Sequence, residues 1–286
     1  MSSKSGALTK SQTNKIRNAF LYLFLTAASI ACILPLLWMI STSLKSGNVI
    51  FDIPPKWMPD GFHWENYVKA VTDIDFFRYF LNTVIIAFFR VIAEVFVSAF
   101  VAYGFAKFDF PGKNIWFLLL LSTIMIPGEV TLIPVFQMFT KLGWINSFLP
   151  LTVPAFFGGQ AVFIFLLRQF LMSQPHELME AAVIDGANKF QIFYKIYLPI
   201  SKPALITIGI FSFQGAWNDL LGPLMYLNES KKFTLQLGLA MFNGALKVEW
   251  GALMAASLLV LLPVLVLFFV CQKYFVEGIS FTGTKG

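Results

Sequence analysis

The sequence predicts an all-α membrane protein with six transmembrane helices and a long helical loop between the fourth and fifth. Three observations carry this reading. Of 286 residues, 57% are apolar or aromatic and 13% are charged, against about 25% charged in an ordinary soluble chain. The 33 Phe and 7 Trp fall largely in long apolar runs. A bilayer core ~30 Å thick takes about 20 such residues per helix. The length therefore accommodates about six spans with short connections and leaves no room for a large soluble domain.

Residues 1–17 form a tail with Lys4, Lys10, Lys15 and Arg17 and no acid. The apolar run from Ala19 to about Ile40 is longer than the core of a signal peptide and is read as an uncleaved first span. Residues 45–80 carry Pro54, Pro55 and Pro59, the aromatic residues Trp57, Phe62, Trp64 and Tyr67, and five acids. Too polar to span and too aromatic for a free linker, they are expected to cap the outer face, with tryptophan as an interface anchor. The second and third spans are expected at Thr83–Ala106 and Ile115–Gly128. Pro127, Gly128, Glu129 and Pro134 interrupt the third, so residues 130–140 are expected to form a separate interfacial helix. Leu149–Leu167, Pro203–Leu227 and Ala252–Phe275 complete the six. The spans make one transmembrane domain over 18–276, with an outer loop at 228–250 and a tail at 277–286. The short loops on the N-terminal side carry Lys107, Lys113, Arg168, Lys189, Lys195 and Lys202. By the positive-inside rule both termini are expected in the cytoplasm, with the chain multi-pass in a bacterial-type cytoplasmic membrane.

The charge of +6 is thus a topology signal, and no nucleic-acid partner is expected. Cys32 and Cys271 lie in apolar runs near opposite ends, and His63 and His176 have no partners at ligand spacing, so no disulfide and no metal is expected. No G-x-x-x-x-G-K-[ST] phosphate loop occurs. Clustered His, Asp, Glu or Ser at catalytic spacing is also missing, so no catalytic residue is assigned and the chain is not read as an enzyme.

Two polar groups fall inside spans. Arg90 and Glu94 are four residues apart on the second, and Ser98, Ala102 and Ala106 continue the spacing. A helix places these on one stripe, pairing an ion pair with a small-residue packing face. The pair is either a packing device or a substrate or proton site. Gln214, Trp217, Asn218 and Asp219 lie in the fifth span, followed by Gly222 and Pro223, which are expected to bend or end it. At 1.5 Å per residue, Trp217 lies about 21 Å beyond Pro203, in the outer half of the bilayer. An indole beside amide and carboxylate groups suits a sugar, the ring against C–H surface and the polar groups on hydroxyls. The other reading is an interface tryptophan with capping Asn and Asp.

The segment Arg168–Lys202 is amphipathic. Pro175 suits a first helical turn, Glu177 and Glu180 favour its positive end, and Gly186 offers a left-handed stop. Asn188 and Gln191 resemble a capping box for a second helix with Phe190, Phe193, Tyr194 and Tyr197 on one face, closed by Leu198 and Pro199. The product is two short helices bent at a glycine, either lying on lipid or fitting a partner's groove.

The string Glu180-Ala181-Ala182, Asp185-Gly186-Ala187, Leu198-Pro199 and Pro203 resembles the EAA loop of permease subunits in ATP-binding-cassette importers. The resemblance extends through Phe165–Phe170, Trp217-Asn218-Asp219, the Pro223 region, Thr234-Leu235, Trp250-Gly251 and the terminal Gly-Thr-Lys-Gly. It is similar to the shorter six-helix partner of the maltose-type, carbohydrate-importing permease pair. This resemblance implies a heteromeric assembly of a second permease, two cytoplasmic ATPase subunits that bind ATP and Mg, and an extracytoplasmic solute-binding protein, with no cofactor on this chain. It implies that Glu180 pairs with a basic ATPase residue, that Ala181 and Ala182 permit close approach, and that Gly186 sets the bend. It also implies that residues 228–250 reach the binding protein's sugar cleft and that the C-terminal tail touches the ATPase pair. Residues 280–286 depart from the family's small-residue pattern before their final Lys-Gly. Arg90 and Glu94 match no family pattern.

A polyol or glycerol-phosphate solute is the alternative within this class, and a phosphate would favour basic residues along the path, of which Arg90 is the deep candidate. A secondary transporter would show inverted repeats, broken midplane helices and coupling carboxylates. No repeat is visible, and Glu94 and Asp219 are the candidate carboxylates.

Overall fold

The computed structural model describes residues 10–47, 49–242 and 248–283. Residues 1–9 of the N-terminal tail, 243–247 of the outer loop and the final Thr-Lys-Gly lie outside the described residues. In chain order the helices are α1 Lys10–Ser43, α2 Glu65–Thr72, α3 Phe76–Lys107, α4 Lys113–Ser122, α5 Gly128–Lys141, α6 Leu149–Thr152, α7 Ala161–Met172, α8 Glu177–Ile184, α9 Lys189–Ile192, α10 Leu198–Ile200, α11 Lys202–Trp217, α12 Leu221–Tyr226, α13 Leu235–Met241 and α14 Trp250–Gly283. Among the described residues four stretches are long and apolar enough to cross a membrane: Arg17–Ser43, Phe76–Lys107, Leu149–Met172 and Trp250–Lys273. Counting each of two bent pairs as one span gives up to six, with a 98° break between 113–125 and 128–141 and a 76° break between 189–200 and 202–217. The first break lies at Pro127-Gly128, where the sequence places it.

The chain divides into two compact units, residues 1–70 with 244–258, and 71–243 with 259–286. In the first, the apolar face of α1 is exposed from Phe20 to Ile40. The segment that follows is ordered by polar contacts. Asn66 Nδ2 donates to the carbonyls of Ser43 and Lys45, each at 2.9 Å, and Lys45 Nζ donates to Lys56 O while standing 4.0 Å over the Trp38 ring. Trp38 and Trp57 meet edge to face at 5.0 Å. These contacts make a folded layer of the described residues between 44 and 64. Only a glycine fits at 251, because a Cβ there would lie 2.6 Å from Asn66 Nδ2.

In the second unit α3 is the central element, packed on both α7 and α11. The reason is its stripe of small residues: Ala93, Ser98, Ala99 and Ala102 are buried, which lets neighbouring backbones come close. Phe163, Ile164, Leu167, Phe193, Tyr197 and Ile208 form one apolar core with Ala99 and Ala102. Near the other end of α3, Asn82 Nδ2 donates to Lys231 O and Phe233 O, and Thr83 Oγ1 accepts from Leu235 N–H.

The expected fifth span does not run unbroken from 203 to 227. α11 ends at Trp217, and the chain resumes helix at Leu221. The break precedes Gly222-Pro223, and beyond it Asp219 Oδ1 accepts the Gly222 N–H at 3.0 Å in the first turn of α12. α14 continues to Gly283, through most of the expected tail.

Candidate functional site

Two places in the second unit carry the sequence-predicted residues. The first is the bend after α8. Gly186 has φ +78°, its N–H donates to Val183 O at 3.0 Å, and the Ala187 N–H reaches back to Ala182 O at 2.9 Å. That bond pair is a Schellman stop, which requires the left-handed residue that glycine supplies. Asn188 then caps α9: Gln191 N–H donates to Asn188 Oδ1 and Asn188 N–H to Gln191 Oε1, the reciprocal box expected. Glu180, Ala181, Asp185 and Gly186 are exposed, Ala187 is half-buried, and Ile184 is 85% exposed at the tip. Ala182 departs from its expected role. Its methyl is buried at 6% exposure in the chain's own core, so its small size serves internal packing. The four-aromatic stripe also divides. Residues 193–197 form a π-helical turn, which resets the register, so Phe193 and Tyr197 are buried while Phe190 and Tyr194 stay exposed. Pro199 does not close this helix, which runs on to Ile200.

The bend is tied to the C-terminal end of α3. Tyr103 OH donates to Lys189 O at 3.1 Å, and Lys107 Nζ donates to Gln174 O at 3.2 Å while standing 4.8 Å over the Tyr197 ring.

The second place is polar and lies at mid-height of α3. Arg90 is 14 residues from Phe76 and 17 from Lys107, about 21 and 26 Å at 1.5 Å per residue. Its Nε lies 3.0 Å from Glu94 Oε1 and its Nη1 3.6 Å from Asp219 Oδ2. The structure thus joins two groups that the sequence left separate. Gln160 Nε2 also donates to Glu94 Oε1, at 3.1 Å. Sequence reasoning missed Gln160; the Gly158-Gly159 break before α7 was its available signal. Gly159 has φ +60°, and a Cβ there would lie 2.9 Å from Ser98 Oγ, so glycine permits the approach to α3.

On α11 the four expected residues face two ways. Phe211, Gln214, Gly215 and Asn218 are exposed along one stripe, with Asp219 partly exposed at its end. Trp217 points away: 1% exposed, it donates from Nε1 to Val260 O at 3.1 Å and stacks on Phe213 at 5.1 Å. Its indole face is closed to a sugar, and Trp217 is a packing residue. Gln236, which the sequence did not suggest, approaches the α11 terminus, with Nε2 3.3 Å from Trp217 O and 3.4 Å from Asn218 Oδ1. Among the described residues no group of three His, Cys, Asp or Glu side chains is placed to hold a metal.

Comparison with known proteins agrees with this architecture. The chain is 35% identical over 268 residues to the probable ABC transporter permease protein YurM of Bacillus subtilis, covering 93% of this chain and 87% of that one. It is 32% identical to the arabinooligosaccharides transport system permease protein AraQ of Halalkalibacterium halodurans, over 97% of this chain and 100% of the relative. The trehalose/maltose transport system permease protein MalG of Thermococcus litoralis is 29% identical over 90% and 93% of the two chains. The fold matches a chain in the crystal structure of a bacterial ABC transporter involved in the import of the acidic polysaccharide alginate, with TM-score 0.80 and 24% identity, over 94% of this chain and 100% of that chain. Residues 94–281 match the family model for the binding-protein-dependent transport system inner membrane component, a membrane transport component and not an enzyme. With that match and those relatives, the chain belongs to the family of binding-protein-dependent transport system inner membrane components.

Proposed function

We propose that this chain is one permease of a pair that imports a sugar or oligosaccharide by alternating access. The work comes from two ATPase subunits that bind ATP and Mg and clasp the bend at 180–187. The supporting observation is that bend. A glycine-stopped helix and a capped second helix present Glu180, Ala181, Asp185 and Gly186 to the outside while Ala182, Phe193 and Tyr197 anchor the same segment in the core. An exposed tip on a buried root suits the reception of force from a partner. The carbohydrate assignment is supported by relatives named for arabinooligosaccharide and trehalose/maltose transport.

In this reading Gln214, Asn218 and Asp219 face the translocation path, since polar groups exposed on a membrane helix turn toward water or a partner and away from lipid. Both termini and the bend face the cytoplasm, and residues 228–250 face the solute-binding protein. Asn146 holds the start of that outer loop: its Oδ1 accepts from Asn228 N–H and Glu229 N–H, and its Nδ2 donates to Glu229 Oε1 at 2.6 Å. The test is reconstitution. The two permeases, the ATPase pair and the binding protein should together show saccharide-stimulated ATP hydrolysis and uptake. A flat response across a saccharide panel would remove the carbohydrate assignment, and vectorial flux through this chain alone would remove the whole reading.

A further inference from the structure

We propose that the Arg90–Glu94–Asp219 cluster is a charge filter of the translocation path, admitting neutral polyhydroxyl solutes and disfavouring anionic ones. This rests on the reading that the exposed stripe of α11 lines that path. Arg90 alone would suggest an anion site, because a guanidinium at mid-membrane suits a phosphate or a carboxylate. The geometry argues otherwise. Its Nε is engaged by Glu94 at 3.0 Å and its Nη1 faces Asp219 at 3.6 Å. One guanidinium thus meets two carboxylates, and the formal charge of the cluster is −1.

The two acids are placed differently. Glu94 is enclosed, its side chain 4% exposed and one oxygen held by both Arg90 and Gln160, so it fixes the guanidinium from behind. Asp219 is 26% exposed and Arg90 23%. These two groups therefore present an acceptor and a donor side by side at the open stripe, an arrangement suited to adjacent hydroxyls. α11 passes close beside this group: a Cβ at Gly215 would stand 4.0 Å from Arg90 Nη2, an ordinary contact. An incoming anion would gain a guanidinium that is already neutralised and meet a surplus carboxylate. A neutral hydroxyl pair gains both hydrogen bonds without that repulsion.

Substituted-cysteine modification in the assembled importer tests this without knowledge of the natural solute. Cys32→Ser and Cys271→Ser remove the native thiols of this chain, and Asn218→Cys places a reporter on the stripe. Methanethiosulfonates bearing a trimethylammonium, a sulfonate or a bare methyl group are the probes, with modification of this chain read by intact mass. A unit charge ~6 Å away at an effective dielectric constant of ~40 changes a rate about tenfold. The cation rate rises and the anion rate falls by that factor, so the cation-to-anion rate ratio should exceed that for free cysteine by about a hundredfold, fall to near that reference in Asp219→Asn, and invert in Glu94→Gln/Asp219→Asn. Asp219→Asn leaves an oxygen that can still accept the Gly222 N–H, so the first turn of α12 is retained. Gln214→Cys is a second reporter for any variant that assembles poorly. Reaction with all three probes at a ratio that ignores these substitutions overturns the filter and leaves the path reading standing. Protection of both reporters from all three probes in a transporting complex overturns the path reading, and the filter with it.

Discussion

Gly186→Ala isolates the backbone contribution to the bend. A Cβ at 186 meets nothing within 4 Å, so the substitution costs no side-chain contact. What it strains is the left-handed backbone at φ +78°, which costs an L residue about 1–2 kcal/mol. The Schellman bonds from Gly186 N–H and Ala187 N–H stop a helix of only 8 residues, too short to persist without its caps and packing. That cost shifts local opening by a factor of about 5–30. Hydrogen exchange across 177–192 should accelerate by this factor in the reconstituted importer, while α3 keeps its protection. Gly186→Asn, which tolerates the left-handed region, should stay close to the parent. Uptake per ATP hydrolysed should fall in the alanine variant and recover in the asparagine one. Equal exchange in all three proteins would refute the backbone argument. Faster exchange with uptake per ATP unchanged would show that the bend is not where force enters.

Arg90→Gln leaves Glu94 as a buried, unpaired carboxylate and should cost about 3–5 kcal/mol, whereas Arg90→Gln/Glu94→Gln should cost clearly less; thermal unfolding of the purified complex reads the difference, and equal losses would contradict a pair that matters as a pair. Gly238→Ala puts a Cβ 2.7 Å from Tyr79 Cδ2 and 3.0 Å from Ile74 Cδ1, overpacking that should cost about 1–3 kcal/mol in the same measurement. Tyr103→Phe keeps the ring against Phe193 and Tyr197 but deletes the bond to Lys189 O; it should lower stability by only about 0.5–1.5 kcal/mol while reducing uptake per ATP, and an unchanged ratio would mean this bond carries no force. In the 44–64 layer, the hydrogen bond that His63 Nδ1 donates to Glu65, with help from Asp60, raises the His63 pKa, while Ser46 and His63 lower those of Asp60 and Glu65 respectively. The histidine's contribution is full below its unfolded value of about 6.5 and lost as pH rises through the raised folded value. The acids' contributions are lost as pH falls through their lowered ones. Proteolytic resistance of this layer should therefore decline from mildly acidic to alkaline pH, and His63→Gln should flatten that decline; an unchanged profile would assign it elsewhere.

The bend was legible because its signals are local and concern the backbone. A glycine that must turn left and an Asn-x-x-Gln pair that satisfies two N–H groups say the same thing in any context. The small-residue stripe on α3 was legible for a similar reason, since spacing alone puts 94, 98 and 102 on one face. The break in α11 was not, because Gly222-Pro223 is the louder signal while the helix ends before it, at Trp217. Composition also grouped Trp217 with Asn218, yet successive helical positions lie about 100° apart. One turned into the packing against Val260 and the other outward. Gln160 was missed because it meets Glu94 across 66 residues of sequence, and the glycine break beside it does not by itself say which partner it serves.

The two sites are mechanically joined, and the way they are joined bears on how a transporter of this kind can work. The segment 189–200 is linked to α11 by a 76° turn at Ser201 and to α3 by the Tyr103 hydrogen bond to Lys189 O and by the Lys107 ammonium over the Tyr197 ring. One partner of the midplane ion pair, Arg90, rides on α3, and the other, Asp219, sits just past the end of α11. A movement of the bend therefore reaches both sides of the pair by different routes, one through a covalent hinge and one through these side-chain contacts and the α3 core. Helices transmit such displacements with little loss, because packed interiors resist compression. A contact at 3.6 Å between Nη1 and Oδ2 is an ion pair just beyond hydrogen-bond distance, so a relative shift of ~1 Å either closes it into a hydrogen bond or parts the charges. The pair that would sort solutes by charge is thus also the place where a difference between the two routes is felt. Under the proposed reading, access and selectivity are set by the same few atoms and not by separate devices.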